Sequence, residues 1–399
     1  MAMAQVRKTA IRLADGRDLF YFDDSPEYVS GEKTRRTDDP RPLVDRFAPI
    51  IEDGVERPVT APWMRRDPLT GEWIPMATHR MNRTFLPPAD ANPFAPARPG
   101  ATYQDGEIPD TDYDVVVFEN RFPSLMAVPG QQTETEYVDD ESIWPMRPAA
   151  GRCEVICFGP NLEENLVDMG PTRMRTVIEA WADRTSELEQ LPGIKQVFCF
   201  ENHGKEIGVT LHHPHGQIYA YPYITPRTAQ MLVQAREHRQ RTGRNLLRDI
   251  LESELRSNRR IIDQTDHWVV YVPAAARWPV EIHVAPRRDV GALYELNDEE
   301  RDDLAQVYLR VLSAGDRFFV DEDASGNPVS IPLPYIAAWH QAPVGEYRDD
   351  LRLHLQLFSI LRSPGKLKYL AGSESGMGAW ISDTTPEKIA DRLREVYER

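Results

Sequence analysis

The feature that most constrains this chain is an internal repeat. Val115-Val116-Val117-Phe118 is an apolar strand-like run, and Trp268-Val269-Val270-Tyr271-Val272-Pro273 reads as its second copy. Glu154-Val155-Ile156-Cys157-Phe158-Gly159-Pro160 follows the first, and Glu281-Ile282-His283-Val284-Ala285-Pro286 follows the second. Each pair of strands leads into apolar residues at helical spacing: Val177, Trp181 and Leu188 in one copy, Leu304, Val307 and Val311 in the other. Another apolar strand comes next, and each copy closes on a histidine-bearing one, His213-Pro214-His215-Gly216-Gln217 or His354-Leu355-Gln356-Leu357. Strand, strand, helix, strand, strand, written twice, predicts an α+β fold. Two units from a duplication, each an antiparallel sheet with packed helices, share one body. Aligning Glu154 with Glu281 makes the second copy about fourteen residues longer before its histidine, an excess assigned to the loop around His340. A duplicated chain needs its chemistry in only one copy.

The remaining segments fit around these units. Residues 1–58 are polar and mixed in charge and read as an extension, with Arg17-Asp18-Leu19-Phe20-Tyr21-Phe22 able to add a strand. The first unit then spans 59–225 and the second 226–399. WMRRDPLTGEW, from Trp63 to Trp73, is a turn between two apolar patches, because Pro68 presets φ and Gly71 accepts a positive one. The chain holds 33 prolines in 399 residues, many before position 150, so its front is loop-rich; 87–100 reads as an ordered loop or short linker. Residues 226–258 read as one long charged helix, and Thr385-Pro386 starts a last helix with threonine at N-cap and proline at N1.

Charge and cysteine usage exclude several classes. A formal charge of −16 without a Lys/Arg-rich run argues against a nucleic-acid partner. No apolar stretch approaches the roughly 20 residues that cross a bilayer, and no signal-like segment stands at the start, so the expectation is a cytoplasmic protein without a membrane partner. Cys153, Cys157 and Cys199 are three thiols without C-x-x-C spacing, which suggests neither a disulfide framework nor a cysteine zinc site.

Chemistry concentrates at the histidines. Three of ten, His212, His213 and His215, fall within four positions. On a strand His213, His215 and Gln217 share one face, while Pro214 and Gly216 place the segment at an edge or bulge where a ligand approaches the backbone. A histidine nucleophile needs one ring nitrogen unprotonated and the other held by a hydrogen bond; a backbone carbonyl near His215 can supply the latter, and Gln217 can steady a phosphoryl oxygen. The same i, i+2 spacing also serves a strand-borne zinc pair, with His212 available on the other face.

The stretch Gly208-Val209-Thr210-Leu211-His212-His213-Pro214-His215-Gly216-Gln217-Ile218 resembles the active-site signature of the galactose-1-phosphate uridylyltransferase family, in the histidine-triad superfamily. Residues 67–83, Asn120-Arg121-Phe122, Asn202, Trp268 to Pro286, and Lys368-Tyr369-Leu370-Ala371-Gly372-Ser373-Glu374 resemble further family blocks in the same order. The resemblance implies two histidine-triad-like units and a ping-pong exchange. His215 attacks the α-phosphorus of UDP-glucose, releases glucose 1-phosphate, and passes the held uridylyl group to galactose 1-phosphate as UDP-galactose. It further implies that Gln217 stabilises the transferring phosphoryl group and that Gly208 and Thr210 lie at the phosphates. Asn120 and Asn202 would contact nucleotide, Arg80 and Arg83 would cross to the site from the other subunit of a homodimer, and Lys368, Tyr369 and Glu374 would form a sugar-phosphate loop.

The chain departs from the family at its metals. Where many members hold zinc with a Cys-Pro-x-Cys element, a further histidine and the first histidine of the signature, this sequence has Asn92-Pro93-Phe94-Ala95, Leu162 and His213. Zinc needs about four ligands, so the expectation is no zinc, no required cofactor, and a different hydrogen-bonded role for His213. Of a second family site with a glutamate and three histidines, His340 and His354 remain while Gln356 replaces the third histidine, leaving at most a weak metal site. Gln356 is also the repeat counterpart of His215, so the second unit lacks a nucleophile. Two other readings stand beside this one: an adenylyltransferase or phosphorylase of ADP-sugars or dinucleoside polyphosphates, and a non-catalytic metal-binding protein.

Overall fold

The computed structural model describes residues 6–52, 54–77, 91–98, 106–132, 134–209 and 211–398. Eleven strands form one continuous sheet: β1 (Arg7–Arg12), β2 (Asp18–Asp23), β3 (Val115–Glu119), β4 (Arg152–Cys157), β5 (Gln196–His203), β6 (His215–Tyr221), β7 (Ile261–Gln264), β8 (Trp268–Tyr271), β9 (Val280–Pro286), β10 (Tyr335–His340) and β11 (His354–Ser359). Their spatial order is β1-β2-β3-β4-β6-β5-β10-β11-β9-β8-β7, and every neighbouring pair is antiparallel. About the β5–β10 seam the order β3-β4-β6-β5 is answered by β8-β9-β11-β10. The two copies are therefore halves of one sheet, joined where Cys199 faces Trp339 and Asn202 faces Ile336.

Helices α1 (Leu166–Glu189) and α4 (Asp298–Asp316) are the helices of the two copies, and each begins with an asparagine capping box, Asn165 with Asp168 and Asn297 with Glu300. They bury Val177, Trp181, Leu304 and Val311 in one core with Ile156, Ile218, Trp339 and Leu355 of the sheet. Trp181 and Trp339 meet edge to face at 6.3 Å across the seam, so the core belongs to both copies. The opposite face carries the histidines.

Three expectations change. The helix read over 226–258 is two, α2 (Pro226–Thr242) and α3 (Leu246–Ser257). Gly243 ends the first at φ 72°, and the Asn245 side chain caps the second on Arg248 N–H. The excess length of the second copy lies before β10, in a hairpin of 319–322 and 328–331, where the first copy has only 190–195. His340 itself sits within β10, opposite His354. The alignment of Glu154 with Glu281 is one residue out. Cys157 pairs with His215 and His283 with Gln356, which sets Val155 against Glu281. A one-residue slip reverses the face. Glu154 thus points to the helix side, fully buried against Arg184 at 2.9 Å, while Glu281 joins the histidines on the other.

At the front, Trp63–Arg66 and Trp73–Met76 form the hairpin around Gly71, which has φ 76°. Strands β1 and β2 extend the sheet beyond β3, with Leu19 and Tyr21 buried on one face and Phe20 and Phe22 on the other. Helix α5 (Pro386–Val396) starts at Thr385, whose side chain accepts from Lys388 N–H.

Candidate active site

The site begins where β6 begins. His215, Gln217, Tyr219 and Tyr221 occupy the open face, and Gly216, Ile218 and Ala220 occupy the core. Gly216 has no room for a side chain: an added Cβ would lie 2.9 Å from the Phe200 carbonyl. His215 Nδ1 lies 2.7 Å from the His213 carbonyl, a bond that only a protonated Nδ1 can donate. The lone pair is then on Nε2. Phe94 meets the His215 ring edge to face, with centroids 5.1 Å apart.

Gln217 is oriented in the same manner. Its Oε1 accepts from the Tyr219 hydroxyl at 2.9 Å, so the amide NH2 is the end left to donate to a ligand oxygen. Sequence reasoning passed over Tyr219, although a tyrosine two positions along the same strand was the available signal.

His213 is buried. Asn92 Oδ1 accepts from Phe94 N–H at 3.0 Å, which turns Asn92 Nδ2 toward His213 Nδ1 at 2.9 Å. His213 Nδ1 is therefore the acceptor, and Nε2–H donates to the Gly159 carbonyl at 2.8 Å, with Tyr113 Oη also 2.8 Å away. Burial pushes its pKa down to about 4. Both ring nitrogens are engaged, and Ala95 and Leu162 carry no donor atoms, so these residues do not fit a four-ligand zinc.

A cavity of about 260 Å³ opens at the strand ends, lined by His215, His212, Asn202, His203, Lys205 and Asn165 among others. His203, absent from the sequence reading, stacks on Tyr335 with centroids 4.8 Å apart and has Nδ1 3.7 Å from the buried Glu201. Although burial opposes its charge, Glu201 and the nearby Asp316 and Glu206 raise the His203 pKa. His203 therefore lines the cavity beside Lys205 with its charged form favoured by these carboxylates.

The other residues singled out in the sequence are dispersed. Gly208 closes a turn at φ 83°, donating its N–H to the Lys205 carbonyl. Asn120 is buried at the end of β3, where its Oδ1 accepts from Phe122 N–H. Arg80, Arg83 and Thr210 lie outside the described residues. Lys368 is buried and directs Nζ to the Ile381 carbonyl, to Asp383 at 3.0 Å and to Glu374 at 3.4 Å. None of Lys368, Tyr369 and Glu374 lines the cavity at His215.

In the second copy His340 and His354 stack at 4.9 Å. His340 Nε2 lies 3.2 Å from Gln356 Oε1, and Gln356 Nε2 donates to Glu281 at 2.7 Å, as His283 approaches the same oxygen. Burial lowers the His340 pKa to about 3; Glu281, despite its burial, is held at about 2 by hydrogen bonds from His283, Arg277 N–H and Gln356. Among the described residues no three His, Cys, Asp or Glu side chains are arranged to hold a metal ion. Of the ring nitrogens here, His340 Nε2 is engaged with Gln356 and His354 Nδ1 with the Arg352 carbonyl.

Comparison with known proteins gives the family. Residues 56–225 match the model described as galactose-1-phosphate uridyl transferase, N-terminal domain, and 231–399 the C-terminal domain of the same family. A galactose-1-phosphate uridylyltransferase of Streptomyces lividans is 42% identical over 98% of this chain and 99% of its own length. A solved structure described as a uridylyltransferase has a TM-score of 0.71 at 33% identity, covering 84% of this chain and 98% of that one. An ADP-glucose phosphorylase from Arabidopsis thaliana, 23% identical over 84% of this chain and 99% of its own, shares the fold with a TM-score of 0.61. The chain belongs to the galactose-1-phosphate uridylyltransferase family.

Proposed function

We propose that the protein exchanges UMP between UDP-glucose and galactose 1-phosphate through a covalent uridylyl-His215. The observation that carries this is the 2.7 Å bond from His215 Nδ1–H to the His213 carbonyl, which leaves Nε2 as the nucleophile. In the first half-reaction an Nε2–P bond forms at the α-phosphorus, the bond to the β-phosphate oxygen breaks, and glucose 1-phosphate leaves with the electron pair. In the second, a phosphate oxygen of galactose 1-phosphate attacks the same phosphorus, restoring neutral His215 and releasing UDP-galactose. Gln217, turned by Tyr219, donates to the non-bridging oxygens as charge shifts. Because both ring nitrogens of His213 are engaged within the protein, the reading needs no zinc at His213.

The same reading makes the enzyme a cytoplasmic homodimer. Within one chain the Lys368 to Glu374 segment stands apart from His215, and Tyr369, Leu370, Met377 and Ile381 around it are exposed, which suits a loop that serves a neighbouring subunit. Among the described residues no helix is long and apolar enough to cross a membrane.

Intact-mass spectrometry after brief incubation with UDP-glucose tests the chemistry. An acid-labile uridylyl adduct is expected on the wild type and not on a folded His215→Asn variant. No adduct from UDP-glucose, but one from ADP-glucose, would move the assignment to adenylyl transfer.

A further inference from the structure

Residues 6–52 precede both family domain models, yet they connect to the nucleophile through unbroken contacts. Arg17 pairs with Glu107 at 2.6 Å, and Arg41 donates to the carbonyls of Gly106 and Glu107. Arg35, buried between Asp23 and Asp112, stacks on Tyr28 at 3.8 Å. These bonds fasten 106–114 to the N-terminal strands. That segment in turn fastens 92–97: Glu107 N–H donates to the Pro93 carbonyl at 2.7 Å and Ala97 N–H to the Asp110 carbonyl at 2.8 Å. Leu19 and Tyr21 of β2 share an apolar cluster with Phe94, Ile108 and Tyr113. Phe94 then rests on His215, while Asn92 and Tyr113 bond His213, the residue whose carbonyl holds His215 Nδ1.

We propose that residues 6–52 are a positioning element for His215, clamping 91–98 onto the catalytic strand where relatives with a Cys-Pro-x-Cys element would use a metal. This rests on the assignment of His215 as nucleophile. The physical argument is that 92–97 has no regular secondary structure linking it to β6, so its place depends on what ties it down. Here it is held by backbone bonds from 106–110 and by the Asn92–His213 bond, and 106–112 is held in turn by the arginine bonds of the preceding segment.

The test uses the full chain, with adduct formation on the wild type established first so that failure of the clamp is distinguishable from failure of the nucleophile. Arg41→Met removes two bonds to 106–107 without leaving Asp39 bare, since Asp39 still accepts from Ala14 N–H and Arg41 N–H. Phe94→Leu removes the ring on His215. Both are expected to lower the rate constant of uridylylation at saturating UDP-glucose about tenfold, with KM within about twofold and near-UV circular dichroism retained, since a displacement of an ångström or less is costly to a near-attack geometry. Arg41→Lys, which can still donate to one carbonyl, is expected to restore most of the rate. Wild-type rate constants in both folded variants would overturn the proposal. So would one equivalent of zinc in the purified wild type whose removal, not the substitutions, slows uridylylation.

Discussion

At the residue scale the site is a set of side chains oriented by named partners: the His213 carbonyl holds His215 Nδ1, and the Tyr219 hydroxyl holds Gln217 Oε1. Period-two alternation along His215-Gly216-Gln217 was enough to place the histidine and the amide on one face. The sequence did not show what braces His213, whose carbonyl holds His215, because Asn92 and Tyr113 lie 121 and 100 positions away. Two substitutions separate donation from orientation. Gln217→Ala removes the donor and is expected to lower the turnover rate by about 100-fold. Tyr219→Phe leaves the donor but frees its amide to rotate, and is expected to fall between that variant and wild type. Single-turnover uridylylation measures both; equal losses would mean that Tyr219 contacts the substrate itself.

At the scale of elements, strands and their order were legible from apolar runs, while face and length assignments depended on pairing. Glu154 shows why: both it and Glu281 precede an apolar strand, but only register reveals that one faces helix α1 and the other the histidines. Fully buried Glu154 is bonded to Arg184 and to Arg152, each at 2.9 Å. Glu154→Ala leaves the buried Arg184 guanidinium with only its half-exposed partners Glu187 and Asp183, and is expected to cost about 3 kcal/mol in urea unfolding. A cost below about 1 kcal/mol would show that water reaches the pair. A second case is Gly204, where the chain turns after β5 at φ 93° and an added Cβ would meet Pro334 at 2.8 Å. The turn demands glycine, and the motif beside it drew attention elsewhere.

At the scale of the whole molecule, burying polar residues on the sheet makes stability depend on pH. His213 is held down to about 4 and His340 to about 3, chiefly by burial, and His354 is also lowered, whereas an unfolded histidine titrates near 6.5. Below pH 6.5 the unfolded chain therefore takes up protons that the native one refuses. Stability is full above 6.5 and falls toward pH 4, with a slope of about 1.4 kcal/mol per pH unit for each such histidine. Glu281, near 2 when folded, adds loss between about 4.5 and 2. Thermal midpoints measured from pH 8 to 4 are expected to decline from about 6.5 downward; a flat profile would mean that the histidines are solvated.

The sequence by itself determined the duplicated α+β plan and the strand that carries His215 and Gln217 on one face, because periodicity and motif are local properties of a chain. Tertiary structure alone decided that the two copies share one sheet through β5 and β10, that 7–23 belongs to that sheet, and that Lys368 bonds Asp383 and Glu374. These outcomes depend on which distant backbone groups find partners and which charges must be matched once buried. No local pattern records that choice, because the competing pairings use the same residues and differ only in the surfaces they bring together.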